Sequence, residues 1–162
     1  MAGESDFFLK IDGIDGEAQD DKHKNEIHIK SFSMGATNAS SAGHNTGSGV
    51  GKAHVHDIQI TKEVDKSTPN IMINCLTGKH HPKATITARS AGEKPHEYLK
   101  INLEEVFISG YQLHAVDNGK LPVEHFSLTF ASIEQEHKVQ TAQGTAGAAN
   151  KKKFDLKKHK AA

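Results

Sequence analysis

The sequence contains very few of the residues on which several common protein classes depend. Cys75 is the only cysteine among 162 residues, which excludes an intrachain disulfide and a zinc site built from several cysteines. Arg89 is the only arginine, so a single side chain is suited to bidentate contact with phosphate. This scarcity disfavours a nucleotide-dependent enzyme. No stretch approaches the roughly 20 apolar residues that span a bilayer, so we expect no membrane insertion.

The start of the chain also lacks a secretory signal. Its only apolar run there is Phe7 to Leu9, which is shorter than the core of a signal peptide. We therefore expect synthesis in the cytoplasm and no export by the general secretory route.

The formal charge is zero, with 20 basic and 20 acidic residues, but the two signs are unevenly distributed. Residues 151–160 contain six lysines and one aspartate, which leaves an acidic body. Because an Ala- and Gly-rich stretch precedes the lysines, we interpret residues 141–162 as a flexible basic C-terminal tail. Such a tail can attract nucleic acid, but it provides only Phe154 for stacking, so we expect no nucleic-acid partner.

Apolar and polar residues alternate with a period of two, which is typical of half-buried β-strands. The alternation covers six stretches, namely residues 8–12, 27–34, 55–64, 84–89, 98–114 and 123–133. They predict a mainly β fold for residues 1–140, a small antiparallel β-barrel of about six to eight strands. Asn118 and Gly119 suit a tight hairpin turn between the last two stretches.

Two of these strands change the parity of their apolar positions, after Ile29 and again at Glu104 and Glu105. Because a shift of one residue moves every later side chain to the other face, a bulge at each point would keep one face apolar. A twist without a bulge is the alternative.

One helix is predicted at about residues 68–77. Ser67 or Thr68 can cap it, Pro69 fits its first turn, and Gly78 suits the left-handed residue that follows. Its apolar residues fall on a stripe expected to pack on the barrel, and these are Ile71, Met72, Cys75 and Leu76.

The segment from Ala36 to Lys52 consists almost entirely of small and polar residues, which predicts a long extended loop. Its end, Gly47 to Lys52, resembles a phosphate-binding loop only superficially. Thr46 replaces the first glycine of that motif, Ala53 replaces the hydroxyl that binds magnesium, and a strand follows instead of a helix.

Twelve histidines make a metal site worth testing. His54 and His56 lie two apart on a predicted strand, and His80 and His81 are adjacent at a predicted turn. We nevertheless predict no metal, no cofactor and no catalytic residues, because no complete set of ligands or reactive groups can be assembled. A His-rich metal-binding or small hydrolytic protein is the alternative.

Several short strings, in this order, resemble one known family. They are Phe7-Phe8-Leu9-Lys10-Ile11, Asp65-Lys66-Ser67-Thr68-Pro69-Asn70, Gly78-Lys79-His80 and Tyr98-Leu99-Lys100-Ile101. The order and the strings resemble the haemolysin-coregulated protein family, the inner-tube subunit of the type VI secretion system, over about residues 5–137. The Asp65 to Pro69 string is the most specific of the four.

The resemblance implies a barrel with one flanking helix, and a homohexamer whose rings stack into a tube. It also implies three kinds of partner, namely contractile sheath proteins, a trimeric spike protein and small effector proteins carried in the bore. A tube subunit is not an enzyme, and it leaves the cell without a signal peptide when the sheath contracts.

The resemblance also assigns residues to two surfaces. The extended loop 36–52 takes the place of the loop that projects to the next ring, and its predicted stacking residues are Gly43, His44, Asn45, Thr46, Gly47, Ser48 and Gly49. The segment Lys30 to Gly35 matches the strand at the bore, so Ser31 and Ser33 are predicted to contact effectors. Met34 stands where the family often has an aromatic residue.

Overall fold

The computed structural model of this chain describes residues 5–39 and 52–162. Within these ranges the chain forms twelve strands and one helix. Their bounds are β1 (Ser5–Ile11), β2 (Ile27–Ile29), β3 (Ser31–Ser33), β4 (Ala36–Asn38), β5 (Ala53–Val55), β6 (Ile58–Glu63), α1 (Thr68–Thr77), β7 (His81–Ser90), β8 (His96–His114), β9 (Val123–Thr129), β10 (Ser132–Gln140), β11 (Ala146–Asp155) and β12 (Lys160–Ala161).

Ten of the strands form two antiparallel sheets that share β8, and β4 and β5 pair as a separate two-stranded sheet. Sheet 1 has the order β12-β11-β10-β8-β7-β1-β2, and sheet 2 has the order β3-β6-β9-β8. The long strand β8 belongs to both, because its first half pairs with β7 and β10 and its second half pairs with β9. The chain also crosses from sheet 1 to sheet 2 at Lys30, between the edge strands β2 and β3.

The predicted mainly β, antiparallel fold with one flanking helix is confirmed. In the part of the chain that the structure describes, the strands do not close into a complete barrel, because β2 and β3 pair with different neighbours and not with each other. The six predicted runs become twelve strands because the second divides into β2 and β3 and the last into β9 and β10, and because four strands lie outside these runs. Those are β4 and β5 at the ends of the predicted loop, and β11 and β12 beyond the predicted barrel.

Both predicted changes of parity correspond to a change of partner strand. At Lys30 the chain leaves β1, and the Lys30 N–H donates to the Thr61 carbonyl of β6 at 2.8 Å. At Glu105 the backbone takes a φ of 50°, a left-handed conformation, where β8 passes from sheet 1 to sheet 2. The predicted bulge is wrong at both sites, because the first is a transfer between sheets and the strand register is the same on both sides of Glu105.

The hydrophobic core lies between the inner faces of the two sheets. Buried side chains alternate along the strands, so each strand contributes every second residue. From sheet 1 the core takes Leu9, Ile11, Ile27, Ala84, Ile86, Ile101 and Leu103, and from sheet 2 it takes Ile58, Ile60, Ile108, Phe126 and Leu128.

Helix α1 begins and ends as the sequence predicts, but its apolar stripe is narrower. Ser67 occupies the N-cap without a capping side-chain bond, and Gly78 ends the helix with a φ of 65°. Ile71 is fully buried and Cys75 is partly buried against the core, whereas Met72 and Leu76 are 43% and 74% exposed. The prediction that all four pack on the barrel is wrong, because Met72 and Leu76 are rotated about 100° from the line joining Ile71 and Cys75.

The structure corrects the expectation of a flexible tail at residues 141–162. Strand β11 pairs with β10 over most of its length, so the predicted boundary at residue 140 falls inside one sheet. Phe154 and Leu156 of this segment pack against the core, and charges also pair across the strands, because Lys151 lies opposite Glu136 and Lys153 lies opposite Glu134. Read alone, the lysine run suggested a solvated tail, but its acidic partners lie on the neighbouring strands.

Candidate assembly and cargo surfaces

A buried ionic cluster ties sheet 2 to the start of helix α1. Lys62 and Glu124 are both 0% exposed and contact each other between β6 and β9. The Lys62 ammonium also lies 2.9 Å from Asp65 Oδ1. The Glu124 carboxylate accepts hydrogen bonds of 2.8 Å from the Thr68 hydroxyl and 2.8 Å from the Tyr111 hydroxyl. The two buried charges are therefore paired, and both hold additional hydrogen bonds.

This cluster gives the Asp65 to Pro69 string a structural role. Asp65 accepts hydrogen bonds from the backbone N–H and the hydroxyl of Ser67, and its own N–H donates to the Thr68 hydroxyl at 2.9 Å. The string thus fixes the turn before the helix while it satisfies Lys62 and Glu124. Burial and the hydrogen bond to Glu124 raise the pKa of Tyr111 to about 12.

The outer side of sheet 2 carries a surface of short, uncharged polar side chains, which we call the polar face. Strand pairing aligns two rows across β3, β6 and β9, one made of Ser31, Thr61 and His125 and the other of Ser33, Gln59 and Ser127. Residues between these positions point inward, such as Phe32, whose ring packs edge-on against Phe7 at 5.2 Å. The alternation of β3 therefore turns Ser31 and Ser33 outward together.

Hydrogen bonds order the polar face, and charged groups lie only at its ends. The Thr61 hydroxyl lies 3.0 Å from His125 Nδ1. At one end Lys30 and Glu63 form an exposed ion pair of 2.9 Å. At the other end the Ser109 hydroxyl donates to Asp57 at 2.7 Å. A face of this kind offers many hydrogen-bonding groups and no preference for a partner of one charge.

The predicted stacking residues Gly43 to Gly49 lie outside the described residues. The two ends of that loop are visible, because Ala36–Asn38 pairs with Ala53–Val55 as a two-stranded ribbon. The described ends of the extended loop are therefore held side by side.

The histidines singled out for metal binding form contacts of other kinds. The rings of His54 and His56 meet edge to face at 5.0 Å, and the ring of His80 lies 5.0 Å from that of Phe107. Over residues 5–39 and 52–162, no three His, Cys, Asp or Glu side chains are grouped to hold a metal ion. In the same ranges no helix is long and apolar enough to cross a membrane.

Comparison with known proteins decides between the alternatives. The family model described as "Type VI secretion system effector, Hcp" matches residues 8–137. The chain belongs to the Hcp family. Protein hcp1 of Pseudomonas aeruginosa is 39% identical over 140 residues, which are 86% of this chain and 86% of that protein.

Solved structures agree with this assignment. The crystal structure of Hcp1 from Salmonella typhimurium matches with a TM-score of 0.83 and 34% identity, over 100% of both chains. A structure of a type six secretion system protein matches with a TM-score of 0.93 over 98% of this chain and 100% of that one. Its 24% identity shows the shared fold alone.

Membership of the Hcp family identifies the chain as a structural subunit of the type VI secretion tube, a secreted protein that assembles with copies of itself into rings. The family predicted from the ordered strings is therefore confirmed.

Sequence reasoning missed the buried cluster of Lys62 and Glu124. Both residues occupy positions that the period of two assigns to the inner face, next to Ile60 and Phe126. A lysine and a glutamate at apolar positions of two strands are the signal that could have indicated a buried ion pair.

Proposed function

We propose that this Hcp protein forms hexameric rings that stack into a tube, which the sheath surrounds and a trimeric spike protein tips. In this proposal small effector proteins travel in the bore, and the role requires no catalysis. The observation that carries the cargo role is the polar face, which presents Ser31 and Ser33 with neutral neighbours on two adjoining strands.

A neutral, hydroxyl-rich wall suits a carrier of varied proteins. A strongly charged wall would bind cargo of opposite charge tightly and repel the rest, because charge complementarity sets partner choice. Short hydroxyl groups donate and accept hydrogen bonds at little entropic cost, which favours weak and reversible contact. Effectors held in this way can be released after delivery.

Lengthening the side chains at Ser31 and Ser33 tests the cargo role. The variants Ser31→Gln and Ser33→Gln add bulk to the polar face while keeping it neutral, and Thr77→Gln on the exposed end of helix α1 is the matched control. We expect all three to form rings by light scattering. Effector recovered with the rings should fall about tenfold for the two serine variants, the change that 1.4 kcal/mol of contact energy produces. Unchanged recovery of effector would contradict the proposal that the polar face binds effectors.

The extended loop is proposed to stack one ring on the next through Gly43, His44, Asn45, Thr46, Gly47, Ser48 and Gly49. The ribbon of β4 and β5 supports this, because it brings both ends of the loop to one place. Deleting Gly43 to Gly49 should leave rings of normal mass and abolish tubes in negatively stained images. Tubes of normal length from the deletion variant would contradict the assignment.

Cytoplasmic synthesis and export without a signal peptide complete the proposal. Export is expected to require the contractile sheath. Immunoblotting of culture medium from cells with and without sheath proteins tests this, and equal amounts of the protein in both media would contradict it.

A further inference from the structure

Sheet 1 ends in an open and basic edge. Strand β11 pairs with β10 on one side, whereas on its outer side β12 covers only Phe154 and Asp155. The Lys153 carbonyl accepts from the Ala162 N–H at 3.0 Å, but in the described ranges the backbone of residues 146–152 has no strand on that side and presents unpaired N–H and C=O groups.

The lysines at this edge divide into two groups. Lys151, Lys153 and Lys157 form ion pairs with glutamates of β8 and β10 within the same chain. Lys152, Lys158 and Lys160 are exposed, and they form no ion pair within residues 5–39 and 52–162. We call β11, β12 and the turn between them the basic edge. Its uncompensated lysines are available to a partner.

A stretch of acidic residues lies near the opposite end of sheet 1, directly before the exposed Lys22 and Lys24. Between β1 and β2 the chain passes through residues 15–21, which contain four carboxylates and no basic residue. We call this stretch the acidic segment. Asp15, Glu17 and Asp21 are exposed, and they form no ion pair within the described ranges, whereas Asp20 lies 2.8 Å from Arg89.

The acidic segment is held rigidly against the residues that lead into β2. The Gly16 N–H donates to the Asn25 carbonyl at 2.8 Å, and the Ala18 N–H donates to the Glu26 carbonyl at 3.0 Å. Gly16 and Ala18 are buried, so the intervening Glu17 points outward. The carboxylates are therefore displayed on a fixed backbone, which reduces the entropy lost when a partner binds.

We propose that the basic edge of one copy docks against the acidic segment of the next copy and so closes the ring. This inference rests on the proposed ring. A cyclic head-to-tail assembly needs two different and complementary patches on each subunit, and here two patches of opposite charge lie at opposite ends of one sheet. Repulsion between like charges disfavours the pairing of two basic edges, which would give an open-edged dimer instead of a ring.

Charge reversal at either patch tests the proposal. The basic-edge variant carries Lys152→Glu, Lys158→Glu and Lys160→Glu, and the acidic-segment variant carries Asp15→Lys, Glu17→Lys and Asp21→Lys. The control variant reverses three exposed lysines elsewhere, with Lys66→Glu, Lys79→Glu and Lys120→Glu, and so makes the same change in net charge as the basic-edge variant. Circular dichroism verifies that each variant is folded.

Light scattering gives the mass of each variant alone and of a mixture. At a concentration at which the wild-type protein and the control are hexameric, each edge variant alone should be monomeric, because both of its patches then carry one sign. An equimolar mixture of the two edge variants should regain the six-subunit mass, since alternation of the variants makes every contact complementary.

The outcomes separate this inference from the proposed function. A monomeric wild-type protein would overturn the proposed ring itself. A hexameric wild-type protein together with hexameric edge variants would leave the ring intact and overturn the inference. Monomeric edge variants that fail to assemble when mixed would also overturn it, because complementarity of the two patches requires the rescue.

Discussion

Replacing Lys62 with methionine tests whether the buried ionic cluster stabilises the fold. The Lys62 ammonium contacts Glu124, lies 2.9 Å from Asp65 Oδ1 and donates to the Glu63 carbonyl at 2.9 Å. Methionine fills much of the same space but carries no charge. The variant therefore leaves the Glu124 carboxylate, which is 0% exposed, without a countercharge in the core.

The expected cost follows from burial. Removing one partner of a buried ion pair destabilises proteins by about 3–5 kcal/mol, a large part of the roughly 5–15 kcal/mol that stabilises a typical domain. Glu124→Leu should cost a similar amount, because the ammonium keeps Asp65 as a partner but the Thr68 and Tyr111 hydroxyls lose their acceptor. The exposed pair of Lys30 and Glu63, with side chains 51% and 46% exposed, is the control, and Lys30→Met should cost no more than about 1 kcal/mol.

The double variant Lys62→Met/Glu124→Leu distinguishes charge pairing from simple loss of volume. The double variant removes both charges of the buried pair, although the Thr68 and Tyr111 hydroxyls lose their acceptor. Each unsatisfied hydroxyl costs about 1–3 kcal/mol. We therefore expect the double variant to be more stable than the sum of the single changes implies, by at least about 2 kcal/mol.

Urea unfolding followed by far-UV circular dichroism measures these free energies. All variants are compared at one protein concentration, because assembly stabilises the folded subunit and makes its apparent stability depend on concentration. Light scattering records the ring content of each sample. A Lys62→Met cost below about 1 kcal/mol, or strictly additive single and double changes, would refute the reasoning.

Three further changes test local features. Burial raises the pKa of Tyr111 to about 12, so its phenol should ionise near that pH in an ultraviolet titration. The free energy of unfolding should fall as the pH rises from 10 towards 12, and Tyr111→Phe should reduce that fall. The hydrogen bond from Arg89 lowers the pKa of Asp20 to about 2. The stability that the Asp20 carboxylate contributes is therefore present above pH 3.8 and is lost towards pH 2. In Asp20→Asn the urea midpoint should depend less on pH over that range. A Cβ at Gly16 would lie 2.5 Å from the Glu26 carbonyl oxygen, so Gly16→Ala should cost about 1–3 kcal/mol in urea unfolding, and an unchanged midpoint would contradict the close packing.

Local signals predicted the helix and strands because each depends on residues close together in the chain. Pro69 and Gly78 fixed the ends of helix α1, and the odd-to-even change at Glu104 and Glu105 located the left-handed residue at which β8 passes between sheets. The orientation of the helix was not predictable in the same way. Ile71 is buried and Leu76 is exposed because of which side of α1 packs on β8, and that packing depends on residues distant in the chain.

The lysines of β11 show the same limit for charge. In the sequence they form a single basic run at residues 151–160, for which a solvated tail is the simplest interpretation. Their partners Glu104, Glu134 and Glu136 lie far away in the sequence and become neighbours only when β8, β10 and β11 pair. Charge balance between strands is a property of the folded sheet.

By itself the sequence determined the family, the alternation that makes sheets, and the outward direction of Ser31 and Ser33 relative to Phe32, because side chains in a strand alternate over neighbouring residues. Only the tertiary structure decided that Lys62 meets Glu124 and that a basic edge and an acidic segment occupy opposite ends of sheet 1. These residues are separated by long stretches of chain. Strand order and register determine whether they meet or lie apart, and no local sequence pattern specifies strand order or register.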